Sequence, residues 1–106
     1  MQANVEVVVR QLHERLTARY GNRLANVVLY GSQARGDAQA GSDIDLLVVL
    51  RGSVQHGEEV SRTGDILAEL SLQHNVVLTC LFVASDRYER REGPLMRNVH
   101  REGLLV

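Results

Sequence analysis

Residues 30–50, YGSQARGDAQAGSDIDLLVVL, decide how the rest of the chain is read. Gly31 and Ser32 end one apolar run. Asp43 and Asp45 open the next, which closes on Leu47-Val48-Val49-Leu50. A carboxylate at the mouth of a buried strand costs stability unless something binds it, so the pair requires a reason. Side chains two apart on a strand share a face, so Asp43 and Asp45 project together while Ile44 turns to the other side. Only residues 31–42 separate the two runs. A parallel crossover needs about a dozen residues or more with a helix among them, so an antiparallel pair is expected, with Gly31-Ser32 beside Asp43-Ile44-Asp45.

Working outward, Val5, Val8, Val9, Leu12, Leu16 and Tyr20 recur at three- and four-residue spacing and predict an amphipathic helix over 4–20, stopped by Gly21-Asn22. A strand is expected at 25–30 and a second at 43–50, whose apolar residues face both ways after Asp45, as in a central strand covered on both sides. Val60, Ile66, Leu67, Leu70 and Leu72 predict a helix over 55–73. That helix is long enough for a right-handed crossover, so a third strand at 76–83 should run parallel to the second. Ser85 to Glu89 opens a last helical segment, interrupted at Gly93-Pro94 and running through Arg101, and 104–106 suits an edge strand. The sum is an α/β (α+β) architecture, a small mixed sheet flanked by helices, with residues 1–106 as a single domain.

Composition narrows the partners. Hydrophobic residues make up 44% and charged residues 24%, with a net charge of -1, which is ordinary for a globular chain and gives no basic excess toward nucleic acid. Arg87, Arg90, Arg91, Arg97 and Arg101 cluster, but Asp86, Glu89, Glu92 and Glu102 interleave with them, the pattern of a solvated helical face. Cys80 sits in an apolar run and reads as a small buried hydrophobe; a lone cysteine permits no internal disulfide. The N-terminus lacks an apolar leader core and no apolar run reaches the ~18 residues of a membrane span, so a cytoplasmic protein with no membrane contact is expected.

Hard oxygen ligands beside a glycine-containing loop suit magnesium with a polyphosphate, the cation offsetting the charge of both. Gly31 lets phosphate oxygens approach the main chain, Ser32 offers a hydroxyl donor, and Asp43 and Asp45 hold the metal. A Walker A loop is excluded: Gly31 and Gly36 have its spacing, but Asp37-Ala38 stand where lysine and a hydroxyl residue are required.

Residues 31–46, GSQARGDAQAGSDIDL, match every specified position of G-S-x-A-R-G-x-x-x-x-x-S-D-x-D-L, and the chain thereby resembles the minimal nucleotidyltransferases of the DNA polymerase β-like superfamily. Length, element order and the ending NVHREGLLV are also similar to the short stand-alone members. The resemblance implies nucleotide contacts at Gly31, Ser32, Arg35 and Ser42, and catalytic magnesium ligation by Asp43 and Asp45. It implies transfer of a nucleoside monophosphate from a nucleoside triphosphate, ATP before others, with release of pyrophosphate. It further implies a HEPN-type helical partner protein in a toxin–antitoxin pair, this chain being the antitoxin, or a homodimer. For Arg35 a phosphate contact and a salt bridge holding the loop both stay open, and Ser42 suits a turn cap better than a substrate contact.

One part of the pattern is missing. The superfamily usually supplies a third carboxylate on a later strand, expected here within 75–79, where the sequence is Asn75-Val76-Val77-Leu78-Thr79. Val77 is the best equivalent and Asn75 the second; neither is a base. His74 stands one residue before that strand and could take a proton, while Glu58, Glu59 and Asp65 read as helix-surface charges. The alternative to an enzyme is therefore a catalytically impaired nucleotide-binding or protein-interaction module.

Overall fold

The computed structural model describes residues 2–39 and 41–106. Helix α1 (Ala3–Tyr20) leads through a short turn into β1 (Leu24–Tyr30). A one-turn helix, α2 (Ser32–Arg35), precedes β2 (Ile44–Leu50). Then follow α3 (His56–His74), β3 (Leu78–Ala84), α4 (Ser85–Glu89), α5 (Gly93–Glu102) and β4 (Leu104–Leu105). Among the described residues the sheet has the order β3-β2-β1-β4. β1 pairs antiparallel with β2, with Tyr30 opposite Asp45, and β2 runs parallel to β3 through the α3 crossover. β4 adds an antiparallel edge on β1. The mixed sheet flanked by helices is thus the architecture expected from the sequence.

Strand alternation builds two cores. Ile44, Leu46, Val48 and Leu50 of β2 join Val27 and Leu29 of β1 under α1 and α3. Leu47 and Val49 join Val28, Val83, Met96 and Val99 on the opposite side, under α5. Every residue from Leu46 to Leu50 is wholly buried, as expected of a central strand. Helix α1 buries the six residues its spacing predicts, Val5 through Tyr20.

Helix α3 differs from its expected face. Its buried stripe is Glu59, Thr63, Ile66 and Leu70, whereas Val60 and Leu72 are exposed. The helical period is kept, but a carboxylate starts the stripe. Glu59 is only 2% exposed, so it is not a surface charge. It accepts a hydrogen bond from the Tyr20 hydroxyl at 2.8 Å and one from Arg62 at 2.6 Å, with Arg23 at 3.7 Å. A buried carboxylate so supplied with donors is tolerable, and this one ties α1 to α3. The exposed pairs Arg15–Glu69 and Arg19–Asp65, at 2.9 and 2.6 Å, lie along the same seam, so Asp65 is a surface charge as expected.

The third strand begins at Leu78, later than the sequence suggests, because Asn75 takes a left-handed conformation (φ 53°) to cap α3. Strand-type contact starts earlier, since the Ile44 N–H donates to the Val77 carbonyl at 2.9 Å. The expected interruption of the last helical segment is present, falling at residues 90–92 between α4 and α5, and Pro94 stands in the first turn of α5, where its missing N–H costs nothing. Among the described residues no helix is long and apolar enough to cross a membrane.

Candidate functional site

The hairpin of β1 and β2 brings the motif together. Asp43 is exposed just ahead of β2, which starts at Ile44, one residue later than expected, and Asp45 is half-buried on the strand. Ile44 between them is 1% exposed in the α1–α3 core, so both carboxylates belong to the other side of the sheet.

Gly31 meets two demands at once. Its φ of 74° lies in the left-handed region, and a Cβ built on it would stand 2.6 Å from Asp45 Oδ2. Only glycine lets the start of α2 lie directly against that carboxylate. Ser32 follows as the first residue of α2, and its carbonyl accepts from Gly36 and Asp37 to close the turn. Arg35 donates to Asp37 at 3.2 Å and lies 3.7 Å from Glu102, so in this structure it ties the loop to the end of α5. Those acids raise its guanidinium pKa further, the Asp37 hydrogen bond most of all. The Ser42 hydroxyl accepts from the Gln39 N–H at 3.0 Å, a turn cap.

The parallel register answers where a third acid would stand. Asp45 faces Thr79 and Ile44 faces Leu78, which sets Val77 beside Asp43. Val77 is 54% exposed, so its isopropyl group lies open where a carboxylate would face the two aspartates. Asn75 is spent on capping α3. Among the described residues no three His, Cys, Asp or Glu side chains are placed to hold a metal ion. His74 is turned to another task, its Nε2 pairing with Gln11 of α1 at 2.7 Å.

Two neighbours of Asp45 were not singled out from the sequence. Thr79 donates its hydroxyl proton to Asp45 Oδ1 at 2.5 Å and fixes the carboxylate. Tyr30 pairs with Asp45 across the hairpin, and burial, then the Asp45 charge, then Cys80, push its phenol pKa up. Strand alternation together with the parallel register would have found Thr79. Buried Gln33, whose amide reaches the Ser42 carbonyl at 3.5 Å, occupies a position the motif leaves free and carried no signal. Cys80 behaves as expected of a structural thiol: burial pushes its pKa up to about 12.

A small mixed sheet with the glycine-serine turn set against an aspartate pair defines a class, and comparison with known proteins agrees. A model of the nucleotidyltransferase domain matches residues 9–92. A protein of Methanocaldococcus jannaschii named "putative protein adenylyltransferase" is 30% identical over 104 residues, 97% of this chain and 98% of that one. The crystal structure of a "putative nucleotidyltransferase" from Sulfolobus solfataricus superposes with a TM-score of 0.63 over 99% of this chain and 86% of that one, and its 20% identity speaks for the fold alone. The chain belongs to the nucleotidyltransferase family of the polymerase β-like superfamily.

Proposed function

We propose that the chain binds a nucleoside triphosphate, ATP first, with magnesium at Asp43 and Asp45, and transfers the nucleoside monophosphate to a partner protein. The observation that carries this reading is Gly31 pressed on the Asp45 carboxylate, which sets a main-chain turn able to meet phosphate oxygens directly beside the acid pair. The donor set fits the cation in kind, being hard carboxylate oxygens, and supplies two side chains rather than three. When bound, magnesium would offset phosphate charge and stabilise the leaving pyrophosphate. The chain's own groups do the rest. Ser32 donates to a phosphate oxygen, Thr79 holds Asp45 in place, and Ser42 and Arg35 act on the nucleotide through the loop they fasten. An acceptor hydroxyl oxygen attacks the α-phosphorus, the bond to the bridging oxygen of pyrophosphate breaks, and the hydroxyl proton leaves to solvent or to an acid of the partner.

Protein as the acceptor class is suggested by the name of the Methanocaldococcus relative. A HEPN-type helical partner, with this chain as antitoxin, or a second copy of the chain meets that description. Val77 beside Asp43 favours a second reading, a module that keeps the nucleotide and has lost efficient chemistry, since absence of a positioned base typically costs about 10²–10⁴-fold in rate.

The deciding experiment mixes the protein, magnesium and α-labelled ATP, with and without candidate partners, beside the Asp43→Ala/Asp45→Ala variant. Label transferred by the native chain and lost in the variant supports the enzyme. Magnesium-dependent binding without transfer supports the module. Binding unchanged in the double variant removes the metal assignment.

A further inference from the structure

Arg90, Arg91, Arg97, His100 and Arg101 line a concavity of about 410 Å3 formed by the α4–α5 turn and one face of α5. None of Gly31, Ser32, Asp43 or Asp45 lines it. From the sequence these arginines read as a solvated face offset by interleaved acids, and the structure bears this out for Arg90 and Arg101 but not for Arg91 and Arg97. Glu92 and Asp86 engage Arg90 at 3.0 and 3.5 Å, and Glu102 with Asn98 engages Arg101 at 3.5 and 2.8 Å. No carboxylate belongs to the lining, and among the described residues Arg91 and Arg97 have no acidic partner.

The convergence works against stability. Arg97 and Arg101 stand four apart on one helix, where like charges repel. Arg91 holds a left-handed φ of 55° that closes the turn and brings the Arg90-Arg91 pair against that helix face. His100 is anchored as the wall between them: its Nε2 donates to the Tyr88 carbonyl at 2.6 Å, and its ring stacks on Tyr88 at 4.2 Å. A left-handed turn that converges on Arg97, with Arg91 and Arg97 both lacking an acidic partner among the described residues, is accounted for by an anion from outside.

We infer that this concavity is a second anion site, separate from the aspartate pair, and that it takes phosphate groups. Guanidinium forks match phosphate oxygens two at a time. A hollow of this size suits compact, densely charged phosphates better than carboxylates strung along a peptide. Those phosphates come from a free polyphosphate or from the backbone of a single RNA strand, and one experiment separates the two.

The whole protein is titrated without magnesium, at low salt, with inorganic tripolyphosphate and with a twelve-nucleotide oligouridylate, using calorimetry and amide shifts of residues 90–101. Arg91→Gln/Arg97→Gln, at two exposed positions, should weaken binding tenfold or more, while Asp43→Ala/Asp45→Ala leaves it unchanged; Arg97→Gln alone serves if the double variant misfolds. Tighter binding of tripolyphosphate assigns the site to free phosphates. Tighter binding of the strand, with a salt dependence whose slope falls by about 0.7 per arginine removed, assigns it to RNA. The inference is overturned if neither probe binds, if the arginine variants bind as the native chain does, if the aspartate variant alone loses binding, or if an acidic peptide competes better than either phosphate.

Discussion

At Gly31 the backbone conformation and the candidate chemistry cannot be separated. A left-handed φ costs a side-chain-bearing residue roughly 1–2 kcal/mol, and the Asp45 oxygen would have to move away from an added methyl. Gly31→Ala is therefore expected to lower stability by about 2–3 kcal/mol in denaturant melts. With Asp45→Ala already in place only the φ cost should remain, so a double-mutant cycle should show a coupling of about 1 kcal/mol. Strict additivity would mean that the glycine serves the turn alone. Val77 offers the complementary test. Val77→Asp places a carboxylate beside Asp43 at a position already open to solvent, and under the proposed function label transfer should rise by at least tenfold, toward the ~10²–10⁴ of a positioned base. An unchanged or lower rate would show that a partner's acid, or none, completes the reaction.

Among the elements, α3 departs most from its sequence pattern. Tyr20, Glu59, Arg62 and Arg23 replace what apolar spacing assigned to Val60 and Leu72. Burial first, then the Glu59 hydrogen bond, push the Tyr20 phenol up to about 12 from 10. The folded state thus holds this proton more tightly than the unfolded chain does. Its contribution is fully present below pH 10 and is lost as pH rises toward 12, and the Cys80 thiol adds a loss of the same sign from about pH 9. Alkaline melts of Tyr20→Phe should start about 1 kcal/mol lower for the lost hydrogen bond and fall less steeply above pH 10. Equal steepness in the two proteins would put the alkaline loss elsewhere. Much of this level was legible in the chain: α1, the β1–β2 hairpin and the parallel crossover follow from periodicity and connection length. The stripe of α3 was not, because a polar residue enters a core only when its partners arrive from elsewhere, and Tyr20 and Arg23 lie far away in sequence. The motif pointed to Asp43, Asp45 and Gly31 for a similar reason in reverse, all three being local to one hairpin. Thr79 needed the parallel register carried one step further, and the arginine hollow needed the third dimension.

For the molecule as a whole, charge is divided by place rather than by amount. A net charge of -1 hides an aspartate pair at the opening of β2 and an arginine-lined hollow beside α5. Ionic strength should therefore act on two binding events differently. Under the proposed function and the inferred arginine site, raising salt should weaken phosphate binding at the arginines steeply, whereas magnesium-nucleotide binding, which would rest on direct coordination by the aspartates, should fall less over the same range in parallel titrations. A single shared salt dependence would indicate one site.

The hairpin also has a consequence in time. β1 and β2 are joined through residues 31–43, whereas β3 docks only after the α3 crossover and β4 pairs Leu104 with Leu29 from the far end of the chain. Short connections close at little entropic cost and on a microsecond scale, so Gly31 and both aspartates meet before most of the sheet exists. Pulse-labelled hydrogen exchange during refolding should protect the amides of residues 26–30 and 45–49 ahead of those of β3. The carboxylates would then stand exposed early in refolding without Thr79, and, under the proposed function, divalent cations in a refolding mixture would meet the aspartates while the chain is still assembling the strand that fixes them.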